Sequence, residues 1–486
     1  MTSGPISRVA VVGGGITGLT AAHRLYELAS SARHPIHVIL HEATQRLGGV
    51  VSTVRRDGLL IEEGPDSILA EKPWAHELAA RVGLSGHVIR TNPAQRRSFI
   101  VRRRRLVPTP EGLYLFAPTR FLPLAAGGLL SPWGVLRAGL DLAIPRRESD
   151  QDESVASFVT RRLGGEVLNR LAQPMVAGIY GADPADLSMR ATLPRLVQLE
   201  TDHGSLIKGM RASRRRDTQP ASGARYSLFF SFGSGVEMLT RALASRLPGG
   251  AARPNARVMR LARSGSGWRV TTRDSQEEFD AVILAVPAPA AADLLASIEP
   301  DLAGQLGGIA CGSSVTVSLA FREEDLVHRM DGFGFVVPAV EKLSILGCTF
   351  CHRKYPGRAP AGAALLRAFW GDEGCVLSDQ ELVRRTLADL RVLLGLRKEP
   401  YLTHIVRWPG SMPRYAVGHL DRVHRIETLV SSLPGLALAG SAYRGVGIPD
   451  CVRSGEAAAE QVMRRIAPEV SALPARREIS DPLRSA

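Results

Sequence analysis

The N-terminal part of the chain alternates between short apolar runs and glycine-rich turns. Val9–Gly13 is an apolar run that ends in glycine, which predicts a buried β-strand. Between Leu19 and Leu28 apolar residues recur at helical spacing, so a helix is predicted directly after the turn. His37–Leu40 predicts a second strand, which leads to Glu42. The pattern therefore predicts a strand–turn–helix–strand unit of the Rossmann-like α/β class.

The turn between the first strand and the helix carries the GxGxxG spacing at Gly13, Gly15 and Gly18. Gly13 permits the tight turn, Gly15 lets a phosphate approach the backbone, and Gly18 allows close packing of helix and strand. Glu42 follows Gly18 by 24 residues (42 − 18), close to the roughly 20 at which a carboxylate binds a ribose hydroxyl. Because backbone N–H groups at a helix N-terminus bind pyrophosphate, these features favour a dinucleotide site over an ordinary βαβ turn.

Two later segments repeat the pattern of an apolar strand followed by small residues. Phe279–Pro287 predicts a buried strand, and Leu433–Ala439 predicts another that ends at Gly440. A glycine-containing turn, Tyr443–Asp450, then leads into an Ala-rich helix predicted for Cys451–Arg464. The positive end of that helix dipole can stabilise a negatively charged cofactor. The cofactor domain is therefore expected to be assembled from the start, the middle and the end of the chain.

Composition places the chain among large globular proteins. Its 486 residues are 45% hydrophobic, which predicts two or three structural units. No cleavable signal peptide is recognised, and the longest apolar stretch, Phe121–Ile144, is interrupted by Pro123 and Pro132. Five cysteines, an odd and small number, favour reduced thiols and a cytoplasmic location. Cys348–Cys351 is a single CxxC, which favours structural cysteines on a strand, so no metal site is expected.

The charge is strongly basic, with a formal net charge of +14. Arginines cluster at Arg102–Arg105 and Arg214–Arg216, but without interleaved aromatic residues, so nucleic-acid binding is not expected. A basic surface instead suits anionic lipid headgroups or a substrate with several carboxylates. Thr218–Ala224 is predicted to be a flexible connector, and residues 467–486 a flexible tail.

Two further segments carry a resemblance to a known superfamily. Arg46–Gly49 follows Glu42, and Glu63–Ser67 continues the pattern. With the C-terminal glycine segment, they resemble FAD enzymes of the amine-oxidase superfamily, which implies non-covalently bound FAD. Ser441 stands where many such enzymes carry an aspartate that binds the ribityl chain, so backbone groups are the expected substitute. The residues implied to bind the cofactor are Gly13, Gly15, Gly18, Glu42, Arg46, Gly48, Gly49, Gly64, Pro65, Asp66, Val258, Trp408, Gly440, Val446, Gly447 and Ile448.

From Arg8 to Arg464 the chain resembles the bacterial FAD-dependent porphyrinogen oxidases of haem synthesis. The motifs that carry this resemblance are Gly64–Leu69, Gln95–Arg97, Gly178–Pro184, Leu187–Met189, Gly204–Ile207, Gly332–Gly334, Arg407–Trp408, Met412–Tyr415 and Gly418–His419.

The family fold implies three structural units. An FAD-binding domain is expected from residues 1–70, 227–290 and 400–466, and a mixed-sheet α+β substrate domain from 71–100, 201–226 and 291–399. Residues 101–200 are expected to form a helical domain. Within it, Phe121–Leu142 matches the apolar segment that family members lay on a membrane, with a buried helix pair as the equal alternative.

Members of this family oxidise either protoporphyrinogen IX or coproporphyrinogen III. Cys348–Pro356 and Leu365–Phe369 are more similar to the soluble coproporphyrinogen-oxidising type. The resemblance therefore implies conversion of coproporphyrinogen III to coproporphyrin III with FAD and O2, releasing hydrogen peroxide; protoporphyrinogen IX oxidation is the alternative. It also implies a cytoplasmic monomer or homodimer with peripheral membrane contact, whose product passes to another haem-pathway enzyme.

The resemblance also assigns substrate-binding residues. Because flavin N5 carries the chemistry and the protein positions the substrate, no catalytic side chain is implied. Arg97 matches the basic residue that binds a substrate propionate, and Arg96 is a neighbouring rival. The remaining residues implied are Gly178, Leu346 and Phe369 in the pocket, and Trp408 and Met412 near the isoalloxazine.

Other functions stay open at this point. An amine oxidase often uses a lysine that holds water near N5, and a carotenoid desaturase needs a long apolar tunnel; neither signature is found. A flavin-bearing scaffold without turnover is the alternative from a different class. The matches across both the pocket and the flavin segments argue against it.

Overall fold

The computed structural model of the chain describes residues 6–118, 120–216 and 229–467. The strands are β1 Ser7–Val12, β2 Ile36–His41, β3 Thr53–Arg56, β4 Leu59–Glu62, β5 Ile68–Leu69, β6 Val88–Arg90, β7 Phe99–Arg102, β8 Arg105–Pro108, β9 Leu113–Tyr114, β10 Ala117–Pro118, β11 Phe229–Phe232, β12 Ala252–Arg253, β13 Arg260–Ser264, β14 Gly267–Thr271, β15 Gln276–Phe279, β16 Ala281–Leu284, β17 Cys311–Arg322, β18 Gly334–Val336, β19 Gly347–Phe350, β20 Ala363–Trp370, β21 Leu402–Pro413 and β22 Leu436–Leu438.

The α-helices are α1 Ile16–Ala32, α2 Trp74–Arg81, α3 Phe121–Ala126, α4 Pro132–Gly139, α5 Val155–Leu163, α6 Gly165–Val167, α7 Gln173–Tyr180, α8 Met189–Thr192, α9 Pro194–His203, α10 Leu206–Arg216, α11 Glu237–Ala244, α12 Ala288–Leu295, α13 Pro300–Gly307, α14 Cys351–Lys354, α15 Asp372–Cys375, α16 Asp379–Leu394, α17 His419–Ser431 and α18 Ile448–Ile466. The predicted connector at 218–224 and residues 468–486 of the predicted tail lie outside the described residues.

The first of the two large sheets is parallel and has the strand order β12-β2-β1-β16-β22. Within β1, Val9 and Val11 pack into the core that contains α1 and α18, whereas Ala10 and Val12 pack into the core that contains α12 and α17. Because both faces of this sheet are covered, its central segments Val9–Val12, Val38–Leu40 and Ala281–Leu284 are continuously apolar. The sheet combines strands from the start, middle and end of the chain, and it confirms the predicted Rossmann-like α/β class.

Helices α1 and α18 approach each other closely on one face of this sheet. A Cβ placed on Gly455 of α18 would lie 2.4 Å from the carbonyl oxygen of Thr17 in α1. Glycine at this position therefore lets the two helix backbones pack together, and this places both helix N-termini at the carboxyl ends of the parallel strands.

A second, mixed sheet has the order β21-β17-β20-β19-β18-β7-β8, with β18 and β7 parallel and the other neighbours antiparallel. Its core packs against α16 through residues such as Leu382 and Leu390. The two edge strands of this sheet come from segments that were expected in other structural units. Leu402–Pro413 was expected with the cofactor segments but pairs with β17 from Ala320↔Leu402 to Cys311↔Pro413. Residues 101–108 were expected in the helical unit but complete the β7–β8 hairpin.

The helices α3–α10 contribute to a separate core, and this unit also contains a buried ion pair. Arg162 and Asp141 are both 0% exposed, and Arg162 Nε donates to Asp141 Oδ1 at 2.6 Å. The segment Phe121–Leu142 forms two short helices, and its side chains divide between the interior and the surface. Leu124, Leu129, Leu130 and Ala138 are buried, whereas Leu122, Trp133, Leu136 and Leu140 are exposed. No helix among the described residues has the length and apolar character needed to span a bilayer.

Candidate active site

The glycines of the turn after β1 have two kinds of surroundings. Gly13 and Gly18 lie against backbone atoms, whereas Gly15 faces open space. Gly13 has φ +107°, and a Cβ there would lie 2.4 Å from the Ala285 carbonyl oxygen. A Cβ on Gly18 would lie 1.8 Å from the Gly13 carbonyl oxygen. At Gly15 a Cβ would meet no atom within 4 Å in the part of the chain that the structure describes, apart from the adjoining backbone, and α1 starts here without a side-chain cap. The turn thus forms an open cradle whose backbone N–H groups can bind a phosphate.

Glu42 joins the end of β2 to this turn. Its Oε2 accepts a hydrogen bond from the Gly14 N–H at 2.7 Å, and its Oε1 accepts one from the Thr44 N–H at 2.8 Å. The Ala256 N–H donates to the Glu42 carbonyl oxygen at 2.8 Å, which brings the loop before Val258 to the same place. The structure therefore places Glu42, which is predicted to bind a ribose hydroxyl, next to the loop that leads to Val258, another residue predicted to bind the cofactor.

The Arg46–Gly49 loop lies against the same glycine turn. The Gly48 N–H donates to the Gly14 carbonyl oxygen at 2.8 Å, and a Cβ on Gly49 would lie 3.2 Å from Gly15 Cα. Arg46 donates to the carbonyl oxygens of Leu47 and Val51 at 3.0 and 2.9 Å and to that of Gly49. Arg46 thus fixes the loop conformation in addition to any contact that it makes with a phosphate.

The next segment that is predicted to bind the cofactor, Gly64–Asp66, lies against the mixed sheet. A Cβ on Gly64 would lie 1.8 Å from the Val50 carbonyl oxygen, so this position requires glycine. Asp66, which follows Pro65, accepts hydrogen bonds from Lys354 Nζ at 3.0 and 3.1 Å. Burial raises the pKa of the Asp66 carboxyl, but Lys354 and Arg367 outweigh this effect and hold the pKa well below its usual range. Asp66 is therefore a carboxylate that joins the segment to the sheet.

Trp408 links β21 to the same segment. Its Nε1 donates to the Glu63 carbonyl oxygen at 2.9 Å, and the Glu63 carboxylate in turn contacts His404 Nε2 at 2.8 Å. The hydrogen bond to Glu63 brings Trp408, a residue of the mixed sheet that is predicted to lie near the flavin, next to the segment Gly64–Asp66. Met412, also on β21, pairs with Gly312 on β17.

The C-terminal predicted residues form a second glycine turn before a helix. Gly440 has φ +132° with open space on its side-chain position, and its N–H donates to Ser454 Oγ at 3.0 Å. The carbonyl oxygen of Ser441 accepts a hydrogen bond from the Tyr415 hydroxyl, which accepts one from the Gly445 N–H at 2.8 Å. Val446 and Gly447 then precede α18, which begins at Ile448 without a side-chain cap.

Two of the four predicted substrate residues, Leu346 and Phe369, are neighbours at the mixed sheet, and a third, Gly178 in α7, lies close to that sheet. The Leu346 N–H donates to the Phe369 carbonyl oxygen at 2.8 Å. Gly347 pairs with Phe369 on one side and with Val336 on the other. A Cβ on Gly178, in α7, would lie 4.0 Å from Val336 Cγ1. Gly178, Leu346 and Phe369 therefore border one surface, which we call the pocket wall.

Arg97 lies farther along the same sheet, two residues before β7 begins. Its carbonyl oxygen accepts a hydrogen bond from the Phe333 N–H at 2.8 Å. Its side chain is 65% exposed and contacts Asp331 Oδ2 at 2.9 Å. Arg96 is also exposed. The fold thus places both arginines at the end of the sheet, apart from the pocket wall.

Sequence reasoning missed the buried ion cluster around Asp66. Arg367 lies two residues before Phe369 on β20, and strand alternation places both on one face of the sheet. The Arg367 guanidinium lies 4.8 Å from the Phe369 ring centroid. Strand alternation could have placed Arg367 beside Phe369. It could not have identified Asp66, the acidic partner of Arg367, because Asp66 is remote in sequence. The described residues contain no group of three or more His, Cys, Asp or Glu side chains able to hold a metal ion.

The contacts of His419 and of the two cysteines of the CxxC motif indicate structural roles for these residues. The His419 ring stacks on Tyr415 at 4.0 Å, and its Nε2 lies 2.9 Å from the Tyr443 carbonyl oxygen. Burial lowers the pKa of His419. Cys348 lies on β19, but Cys351 begins α14 and so is not on a strand as expected; burial raises the pKa of both thiols.

Comparison with known proteins identifies the class that this fold and site define. The model of the family described as flavin containing amine oxidoreductase matches residues 16–463, and the chain belongs to that family. Two solved structures show the same fold. One from Exiguobacterium sp. 255-15 has a TM-score of 0.83 at 32% identity and covers 95% of this chain and 99% of that chain. Cyclohexylamine oxidase from Brevibacterium oxydans has a TM-score of 0.68 at 17% identity, covering 95% and 100%.

Among relatives with named activities, coproporphyrinogen III oxidase from Bacillus subtilis is 35% identical over 94% of this chain and 97% of its own length. The protein of that name from Propionibacterium freudenreichii is 37% identical, over 93% and 90%. Human protoporphyrinogen oxidase is 31% identical, over 94% and 98%. The chain is therefore a flavin-dependent oxidoreductase, as the resemblance implied, and its cofactor is FAD.

The residues present fit this cofactor. The open position at Gly15 and the N-termini of α1 and α18, whose N-cap residues make no side-chain cap, provide space and backbone N–H donors where the phosphates and the flavin ring are expected.

Proposed function

We propose that this enzyme oxidises coproporphyrinogen III to coproporphyrin III, with FAD as electron acceptor and O2 as final oxidant, releasing hydrogen peroxide. The observation that carries the proposal is the position of the pocket wall, on the same sheet as residues that contact the cofactor segment Gly64–Asp66. The names of the relatives support the substrate class, since three coproporphyrinogen III oxidases share 34–37% identity with this chain.

The pocket wall suits a flat macrocycle. Gly178 leaves space where a side chain would project toward Val336, and Leu346 and Phe369 present apolar groups from adjacent positions in the sheet. When bound, FAD supplies a two-electron acceptor, and the protein supplies position and electrostatics. Because this acceptor takes two electrons at a time, removal of six electrons and six protons from the porphyrinogen requires repeated oxidation. The ring must therefore be held against the same surface in each round.

Arg97 is the proposed ligand of a substrate propionate. Its exposed guanidinium can bind a carboxylate in a bidentate manner, and its present partner, Asp331, is itself on the surface. Coproporphyrinogen III has four propionates, whereas protoporphyrinogen IX has two. The two additional carboxylates require basic partners or water, because burial of an unpaired charge costs several kcal/mol. Exposed Arg96 and Arg97 at the end of the sheet favour the more acidic substrate.

Protoporphyrinogen IX is the second candidate substrate. Relatives named protoporphyrinogen oxidase share 31% identity with this chain over nearly the same length. If the pocket is closed and apolar where the additional propionates would lie, the vinyl-bearing substrate is preferred.

Anaerobic single-turnover reduction of the flavin by each porphyrinogen tests this assignment without interference from spontaneous oxidation in air. Bleaching of the flavin absorbance should be faster with coproporphyrinogen III at equal subsaturating concentration. Equal or faster bleaching by protoporphyrinogen IX would reverse the substrate order. A flavin that neither porphyrinogen reduces would contradict the porphyrinogen oxidase assignment itself.

A peripheral membrane contact is proposed from the exposed apolar side chains of α3 and α4. Leu122, Trp133 and Leu136 are 82%, 78% and 58% exposed. Arg102, at the start of the basic hairpin Arg102–Arg105, lies near the loop between α3 and α4, since its Nη1 is 3.8 Å from the position of a Cβ on Gly128. An apolar surface next to basic residues suits the interface of an anionic bilayer.

A further inference from the structure

Arg367 contacts both the cofactor segment and the pocket wall. The residue is only 4% exposed, although it carries a full positive charge. Its Nη1 donates to the carbonyl oxygens of Glu62 and Gly64 at 2.7 and 2.8 Å. Its guanidinium carbon lies 4.8 Å from the Phe369 ring centroid. One planar group therefore touches both Gly64, which is predicted to bind the cofactor, and the ring of Phe369, which is predicted to contact the substrate.

The charges around Arg367 hold this arrangement in place. Arg367 Nη2 lies 3.6 Å from Asp66 Oδ2, and Lys354 Nζ lies 3.0 Å from Asp66 Oδ1. Two cations thus surround one carboxylate at the junction of the cofactor segment and the mixed sheet. Because buried charges are stable only when paired, this cluster resists separation of the two structural units.

We propose that Arg367 is a positioning residue that sets the separation between the Phe369 ring and the cofactor segment Gly64–Asp66. It thereby aligns the porphyrinogen ring with the flavin. This inference rests on the proposed function and names a further residue for the same reaction. Arginine suits the role because its rigid plane donates to several acceptors while one face stacks on a ring. Lysine retains the charge but provides neither the fork of donors nor the stacking plane.

Arg358 provides a matched control. It is 2% exposed, its Nη2 lies 3.3 Å from Glu62 Oε1, and it donates to the Phe232 carbonyl oxygen at 3.2 Å. Arg367→Lys and Arg358→Lys therefore each replace a buried arginine that contacts Glu62. Only the Arg367 variant removes a group that stacks on Phe369.

The experiment compares both variants with the wild-type holoenzyme. At saturating coproporphyrinogen III, Arg367→Lys should lower the anaerobic rate of flavin reduction by about 10- to 100-fold, since misplacement by about 1 Å has effects of this size. Its affinity for coproporphyrin III, measured by tryptophan quenching, and its affinity for FAD should stay within about threefold of wild type. The visible circular dichroism of bound FAD without substrate should change in Arg367→Lys and remain as in wild type in Arg358→Lys.

Several outcomes would overturn the inference. Equal rates in the two variants would show that Arg367 has no specific effect, and a loss of FAD affinity in parallel with the rate would show a purely structural role. If Arg367→Lys does not fold, Phe369→Leu replaces it, because this change removes the ring from the guanidinium and leaves Arg367 in place. Unchanged circular dichroism of FAD in substrate-free Phe369→Leu would contradict the coupling. If wild type reduces its flavin with neither porphyrinogen, the proposed function fails, and the circular dichroism still tests Arg367.

Discussion

The carboxylate of Glu42 accepts a 2.7 Å hydrogen bond from the backbone N–H of Gly14, which joins the end of β2 to the glycine turn after β1. Both partners belong to the protein, so two parts of the predicted FAD site are held together by the protein itself. Preorganisation of this kind lowers the entropy that cofactor binding must overcome.

Gly15→Val should abolish FAD binding and leave the apoprotein folded. Gly15 has φ −70°, which valine can adopt, and beyond the adjoining backbone no heavy atom of the described residues lies within 4 Å of its Cβ position. The branched side chain would therefore fill the space expected for the pyrophosphate. Gly304→Val, at another open position, is the control and should retain FAD. The flavin absorbance of the purified proteins measures the result; a yellow Gly15→Val protein would contradict it. Denaturation of wild type should release the flavin, because the FAD is predicted to be non-covalent.

Arg97→Ala should weaken substrate binding without affecting FAD. A charge-assisted contact with a carboxylate contributes about 1.5–3 kcal/mol, which corresponds to roughly tenfold to 150-fold in affinity. The control is Asp331→Asn, which removes the surface partner of Arg97. Because exposed ion pairs contribute about 0–1 kcal/mol, this variant should keep its thermal stability and its affinity for substrate. Unchanged KM and kcat in Arg97→Ala on both porphyrinogens would transfer the role to Arg96.

The sequence predicted the strand, glycine turn and helix at the N-terminus because the determinants of these elements are local. The strand before Gly13, the glycine spacing and the helix after Gly15 lie in one short segment, where packing allows few alternatives. Contacts such as that between Asp66 and Lys354 join residues 288 positions apart, and no local pattern specifies them. The same limitation explains the position of β21, whose pairing with β17 depends on the register of two distant strands.

Stability should fall between pH 6.5 and 4, in part through His41. Burial, aided by the nearby cation Arg253 and opposed by Glu277, lowers the pKa of His41 from 6.5 to about 4. The unfolded chain therefore binds a proton in this range that the native state does not, so stability is complete above pH 6.5 and decreases toward pH 4. The maximal effect is about 3 kcal/mol of unfolding free energy.

His41→Phe should reduce this pH dependence. Neither ring nitrogen of His41 has a hydrogen-bond partner among the described residues, and the ring packs edge-on against Phe279. Phenylalanine keeps that packing and does not titrate. Urea unfolding at pH 7.5, 6 and 5 should therefore show a smaller loss of stability than in wild type. A decrease should remain, because burial also lowers the pKa of His352 to about 4. Exposed His424→Gln is the control, and an unchanged slope in His41→Phe would refute the assignment.

Replacement of Trp133 and Leu136 by aspartate should weaken binding to anionic vesicles. Both side chains are exposed on α4, and burial of one large apolar side chain contributes about 1.5–3 kcal/mol. Loss of both should therefore reduce vesicle affinity by at least about tenfold, and added salt should weaken the wild-type protein through the nearby arginines. Val376→Asp is the matched control, because Val376 is 86% exposed but lies outside α3 and α4. Cosedimentation with phosphatidylglycerol vesicles measures all three proteins. Equal binding by the double variant and by Val376→Asp would mean that α3 and α4 do not contact the bilayer, and that the exposed apolar residues there have another function.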